Sequence, residues 1–316
     1  MELPTHLLRV IIACTSGSTT LKNVLDSISE CKLPQVYEKT LIVENGGPSL
    51  LEDLVLSYNE RLNTEYLHIS ESGKNRALNT ALRNIERGLI FFTDDDIYLG
   101  EHTLSAYATA AKRAGWGHFF GGPFDVTYED EPPPEWLLPY LPPSAKGWAP
   151  DETDIADDFF GFVGFNWAGF AQDIHNAGRF KVDVGPGSRI NSTGSETQLQ
   201  LDLVQNGACA VYVPEATVTH RVPPNKCTPE WALHRSYRNG LQWGQFYYHN
   251  EFTDKMSTLW DYPLWMVKLL LKRAAQAGVK SFMNAQRRFD GRYWLNWQWG
   301  YIQGFRHARE LARRDS

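Results

Sequence analysis

Three consecutive carboxylates, Asp94, Asp95 and Asp96, close a short apolar run, Leu89-Ile-Phe-Phe-Thr93. Neighbouring like charges repel, so the triplet needs a cationic answer. Asp94 and Asp96, two apart at a strand end, project to one side, a spacing that suits a hard divalent ion with oxygen ligands. A solvated acidic turn has the same pattern, so the triplet alone leaves both readings open. Lys74 and Arg76 come before it, at the start of a segment with helical spacing. Cations there oppose the helix dipole, which favours a role in meeting an anion. Glu196 falls in the first turn of a later helical segment, where the dipole by itself favours an acid, and a lone His such as His220 is ordinarily a packed or surface ring.

The elements that must position these residues alternate. Residues 7–13, 39–43, 66–69 and 89–97 read as strands, and the helices between them run from Leu21 to about Ile28, over 50–61 and over 76–87. Such βαβ alternation implies a mostly parallel sheet, whose ligands bind at the carboxyl ends of the strands. The loops after the strands at Ala13, Val43, Ile69 and Thr93 collect on that edge, yet no GxGxxG or Walker loop is present. Beyond a helix at 101–116 come a strand at 119–126, a Pro-rich acidic stretch at 129–153 that reads as a lid or a passive insertion, and a strand at 164–171. A glycine-punctuated loop at 178–187, a helix at 195–204 and a strand at 210–213 follow, and from 228 to 316 the chain reads as mainly helical.

The totals narrow the class. The 316 residues, 42% hydrophobic and 22% charged, fit one large α/β domain with an extension. A net charge of −6, with no dense basic tract, argues against nucleic acid as a partner. Cys14, Cys31, Cys209 and Cys227 have no zinc-like spacing and read as reduced thiols. With no signal peptide and no run of eighteen apolar residues, the expected location is cytoplasmic, at most peripheral to the inner face of a membrane.

Over about residues 7 to 240 the chain resembles the GT-A fold, family 2-like inverting glycosyltransferases, which use nucleotide-diphospho-sugars. The likeness rests on motifs in order: Gly73-Lys-Asn-Arg-Ala-Leu-Asn-Thr-Ala-Leu82, Phe91-Phe-Thr-Asp-Asp-Asp-Ile97, Gly121-Gly-Pro123, Phe165-Asn-Trp-Ala168, Gly178-Arg-Phe180 through Gly185-Pro-Gly187, Ser195-Glu-Thr-Gln-Leu199 and Tyr212-Val-Pro-Glu-Ala-Thr-Val-Thr-His220. The resemblance implies a Rossmann-like nucleotide-binding mixed sheet with flanking helices. It also implies a catalytic domain over 1–227, with a donor half to about 126 and an acceptor half from 127, and a C-terminal helical, Trp-rich extension over 228–316. Asp96 and His220 would hold a divalent metal, Mn²⁺ or Mg²⁺, and Glu196 would be the general base for a single inverting displacement. Thr15, Glu44, Asn45, Lys74, Arg76, Asp94, Asp95 and Arg238 would meet the donor, with a UDP-sugar expected, and Trp167 would offer a ring face to a glycan or lipid-linked acceptor. Two positions depart from the family: Ser195-Glu196 stands where relatives read Glu-Asp, and Glu44 where they commonly carry Asp.

Two further readings are a non-catalytic nucleotide-sugar-binding protein, which predicts loss of the base or a metal ligand, and a nucleotidyltransferase, which predicts basic residues just after the first strand. Cys14-Thr-Ser-Gly-Ser-Thr-Thr20 has none. Residues 260–301, with Trp265-Met-Val-Lys-Leu-Leu-Leu-Lys-Arg-Ala-Ala275 and Tyr293-Trp-Leu-Asn-Trp-Gln-Trp-Gly-Tyr301, carry too much apolar surface for a solvated helix. Packing on the chain itself, homo-oligomerisation or peripheral membrane contact would cover it.

Overall fold

The computed structural model describes residues 7–150, 161–185, 192–253, 256–259 and 261–315. The chain divides into two compact units, one of Met1–Glu129, Pro143–Arg189 and Ser195–Val222, the other of Asp130–Pro142, Ile190–Gly194 and Pro223–Ser316.

The first unit begins β1 (Leu8–Thr15), α1 (Leu21–Glu30), β2 (Tyr37–Asn45), α2 (Glu52–Leu56), α3 (Asn59–Leu62), β3 (Thr64–Ile69), α4 (Lys74–Leu82), β4 (Leu89–Thr93) and β5 (Ile97–Leu99). It continues α5 (Thr103–Ala114), β6 (His118–Gly121), β7 (Phe124–Tyr128), β8 (Trp167–Phe170), α6 (Ala171–Asn176), α7 (Ser195–Gln205), β9 (Cys209–Tyr212) and β10 (Val218–Val222). A seven-stranded sheet has the order β3-β2-β1-β4-β8-β6-β9, and a small sheet has the order β5-β10-β7. In the large sheet β3, β2, β1 and β4 run parallel, and β8 lies antiparallel to both β4 and β6. The expected mixed α/β sheet is present, with its parallel half at the N-terminal end of the chain.

Alternation along the buried strands feeds two cores. Val10, Ile12, Leu89 and Phe91 face one together with Leu21, Val24, Leu25 and Ile28 of α1, while Ile11, Ala13, Ile90 and Phe92 face the other with Ala77, Leu78, Ala81 and Leu82 of α4. Each fully buried Leu, Ile or Val of this kind contributes about 1.5–3 kcal/mol relative to exposure. Helices therefore cover both faces, and the strand ends are left to present polar residues.

Two expected elements divide. The helix expected over 50–61 is two short helices, α2 and α3. The strand expected over 119–126 is β6 and β7, which belong to different sheets. The break falls at Gly122-Pro123: a Cβ on Gly122 would lie 2.1 Å from the Ala216 carbonyl oxygen, and Pro123 has no N–H to continue a ladder.

In the second unit, α8 (Pro229–Asn250) is followed by a short strand pair, β11 (Thr258–Leu259) and β12 (Tyr262–Pro263), then α9 (Leu264–Lys280) and α10 (Ala285–Asp315). Thr228 caps α8 by accepting from the Trp231 N–H, and Pro229 occupies its first turn. Helices α8 and α10 touch through glycines at four-residue spacing on each: Gly240 and Gly244 on α8, Gly300 and Gly304 on α10. A Cβ on any of the four would come within 1.9–2.1 Å of a carbonyl oxygen on the facing helix. Met266, Tyr301, Ile302 and Phe305 fill the core beside this crossing, and Tyr247 packs among them. The Trp-rich segment thus packs largely against its own unit, and Trp260 lies outside the described residues.

Candidate active site

The acidic triplet does not sit on a strand. Strand β4 ends at Thr93, and Asp94 to Asp96 form the turn into β5. Each carboxylate turns to a different partner. Asp94 accepts from Lys74 Nζ, Asp95 accepts from Ser18 Oγ, and Asp96 Oδ2 lies 3.3 Å from His220 Nε2. The turn joins the loop after β1, the start of α4 and strand β10.

Lys74 is at the first position of α4, beneath three carboxylates. Burial pushes its ammonium toward the neutral form, but Asp94, Glu196 and Asp96 outweigh this and raise its pKa above the ordinary lysine value. Burial raises the Asp95 pKa, and Asp96 and Asp94 add to the shift while the Ser18 hydrogen bond opposes it. Glu196 enters from the first turn of α7, and a Cβ on Gly164 would stand 3.1 Å from its carboxylate. The Glu196 carboxylate lies close enough to Lys74 for its charge to help raise the lysine's pKa.

His220 is buried on β10 and stacks on Phe165 with ring centroids 4.9 Å apart. Its Nδ1 lies 2.5 Å from the Ser144 carbonyl oxygen, a pure acceptor, so this nitrogen carries the proton. The other ring nitrogen, Nε2, faces Asp96 Oδ2. An imidazole nitrogen beside a carboxylate oxygen is a donor pair that would suit a divalent cation. Among the described residues no three His, Cys, Asp or Glu side chains converge as a complete cage. A two-ligand site of this kind leaves coordination positions for phosphate oxygens and water, as hard divalent ions at phosphate-transfer sites use them.

Helix α4 also organises the glycine loop after α6. Asn79 donates to the Phe180 carbonyl at 2.7 Å and accepts from the Phe180 N–H at 3.1 Å, and Asn75 donates to Lys181 and Val184 carbonyls at 2.7 and 2.9 Å. The helix expected from Arg76 starts at Lys74, so Asn75 lies inside it and pins this loop; it does not cap the helix. Pro186 and Gly187 of that motif, and residues 151–153 of the acidic stretch, lie outside the described residues.

Several expected site residues are occupied by the fold. Glu44 is fully buried, and its carboxylate accepts from the Gly17, Leu50 and Leu51 N–H groups and the Tyr66 hydroxyl. Burial pushes its pKa up, but these hydrogen bonds outweigh it and hold the carboxyl below its ordinary value. Glu44 therefore shapes the loops after β1 and β2, and has no oxygen left for a nucleotide base. Asn45 is likewise buried, donating to the Cys14 carbonyl and accepting from the Gly73 N–H. Trp167 is fully buried, stacked on Phe92 at 4.7 Å and edge-on to Phe180, so it offers no ring face to an acceptor. Arg76 is exposed and pairs with Glu71 at 3.1 Å, and Thr15 is exposed at the end of β1. Arg238 belongs to the second unit, on α8, where its guanidinium donates to the Ser192 carbonyl at 3.0 Å; burial, then Arg235, pulls its pKa down to about 10.

Sequence reasoning missed Ser18, Asn79, Ser144 and Phe165. Ser18 and Asn79 lie in motifs that could have drawn attention, the loop after β1 and the α4 segment. Phe165 lies in the Phe165-Asn-Trp-Ala168 motif but contributes only a ring face, and Ser144 contributes a backbone carbonyl, which no residue type signals.

No family model matches the sequence, and no curated protein matches it. Solved structures do. The mannosyltransferase PcManGT from Pyrobaculum calidifontis, in complex with GDP-Man and Mn²⁺, superposes with a TM-score of 0.56 at 18% identity, covering 96% of this chain and 88% of that one. S. aureus TarS residues 1–349 give 0.51 at 12% identity over 98% and 92% of the two chains. GalNAc-T7 with UDP, GalNAc and Mn²⁺ gives 0.54 at 10% identity, and there the match covers 80% of this chain and 52% of that one. The fold is the GT-A-like fold of glycosyltransferases.

Proposed function

We propose that the chain is a metal-dependent inverting glycosyltransferase, moving a sugar from a nucleotide-diphospho-sugar to a hydroxyl of a glycan or lipid-linked acceptor. One observation carries the reading: Lys74 at the head of α4 is held under Asp94, Asp96 and Glu196, a charged cluster at the carboxyl end of the parallel strands. The fold supports it, as do the ligands of two similar structures, GDP-Man and Mn²⁺ in one and UDP, GalNAc and Mn²⁺ in the other.

In this reading Asp96 and His220 hold a divalent ion, Mn²⁺ or Mg²⁺, with Ser144 fixing the histidine tautomer. When bound, that ion supplies charge neutralisation for the diphosphate. Lys74 adds a fixed positive charge at the donor side, and Asp94 and Asp95 meet ribose or sugar hydroxyls. Burial, with Asp96 and Asp94, raises the Asp95 pKa, and Ser18 donates to its carboxylate. Glu196 accepts the proton of the attacking hydroxyl as the acceptor oxygen bonds to the anomeric carbon from the face opposite the diphosphate; the carbon–oxygen bond to the diphosphate breaks and the configuration inverts. Arg76, exposed and paired with Glu71, and Thr15, exposed at the end of β1, would meet the nucleotide. With Glu44 consumed by the fold, a UDP-sugar remains the first donor to test.

Thermal shift with UDP- and GDP-sugars, with and without Mn²⁺, tests the proposal. A nucleotide sugar that stabilises the protein only in metal is expected; no stabilisation by any nucleotide sugar in metal would contradict it.

A further inference from the structure

We propose that the outer face of α9 docks on an anionic membrane surface. Residues 264–289 contain six cations, Lys268, Lys272, Arg273, Lys280, Arg287 and Arg288, and no Asp or Glu, in a chain whose net charge is −6. Two of these cations hold the helix to its own unit: Arg273 lies over the Trp294 ring at 5.0 Å, and Lys280 pairs with Asp290. Met266 is buried on that same inner side, where Ala277 meets Gly291.

The opposite side is solvent-facing. Lys268, Leu271, Lys272, Ala275 and Val279 fall on one face of the helix, and Phe282 lies just past its end. Leu271 is 65% exposed, Val279 67% and Phe282 93%. Arg287 and Arg288, at the start of α10, are exposed as well. Large apolar side chains set among lysines match an interface that is apolar below and negative above, the boundary of an anionic bilayer. A second copy of this chain would bring the same lysines against each other across an isologous contact, which opposes that occupant. Among the described residues no helix is long and apolar enough to cross a membrane, so α9 would lie in the interface plane.

The test is sedimentation of the full chain with phosphatidylcholine vesicles, with and without one-third phosphatidylglycerol, at low and high salt. Binding is expected only with phosphatidylglycerol and is expected to weaken with salt. Neutralising lysines in K268Q and K272Q should weaken partitioning about fivefold each. The pair L271D and V279D should weaken it at least about tenfold with thermal melting unchanged, because neither side chain packs in the core. No partition to anionic vesicles, equal partition to neutral ones, or partition unaltered in both variant pairs would overturn the proposal. So would light scattering showing that L271D and V279D dissolve an oligomer of the chain without changing vesicle binding.

Discussion

His220 Nε2 and Asp96 Oδ2 stand 3.3 Å apart, while the other ring nitrogen of His220 is committed as a donor to the Ser144 carbonyl. In metal sites a histidine commonly donates one ring N–H to a backbone oxygen and turns the other nitrogen to the ion, the arrangement the proposed function gives to this pair. Removing either ligand should raise the Mn²⁺ concentration needed for half-maximal thermal stabilisation in the presence of a nucleoside diphosphate by at least about tenfold. Asp96→Asn is the cleaner variant, since His220→Ala also removes a ring stacked on Phe165. An unchanged Mn²⁺ midpoint in Asp96→Asn would remove the pair from metal binding.

Glu44 gives a pH-dependent stability effect of known sign. Its carboxyl is held below the ordinary value of 4.5 in the folded protein, so its contribution is complete above the unfolded carboxyl's titration and is lost as pH falls through the folded one. Glu44→Gln should cost about 1.5–3 kcal/mol at neutral pH, because the amide weakens charge-assisted bonds from Gly17, Leu50, Leu51 and Tyr66. The gap between wild type and variant in urea denaturation should narrow below about pH 4. A gap that stays constant or widens on acidification would show that the charge is not what the loops use.

The α8–α10 crossing has no room for a methyl group. Gly244→Ala would place a Cβ about where the Tyr301 carbonyl oxygen lies, 1.9 Å away, so one helix must move. A loss of about 1–3 kcal/mol is expected in chemical denaturation. The exposed Gly278, whose Cβ would meet nothing within 4 Å, serves as control, and Gly278→Ala should be neutral or slightly stabilising. Equal effects at the two sites would refute the close crossing.

Much of the fold was legible because burial on both faces of β1 and β4 writes continuous apolar runs, and α1 repeats its apolar residues at helical spacing. The acidic turn, Lys74, Glu196 and His220 were legible as residue types at strand and helix ends. What was not legible is how the residues bordering the site are used by the fold: Glu44, Asn45 and Trp167 are each buried and bonded or packed by neighbours distant in sequence, such as Tyr66, Gly73 and Phe180. Burial of a polar or aromatic residue depends on what folds over it, and local sequence does not carry that. The paired glycines of α8 and α10 were overlooked for the converse reason: each looks like a helix defect until the facing helix supplies the close contact.

The most direct measurement is transfer by Glu196→Gln compared with wild type, at saturating metal and with the nucleotide sugar that stabilises the wild-type protein, alongside donor affinity for both. Glutamine keeps the shape at the head of α7 but cannot accept the acceptor's proton. Turnover is expected to fall by about 10²–10⁴-fold with donor affinity changed by less than about threefold. Transfer retained within a few-fold of wild type would contradict the role of Glu196 as base.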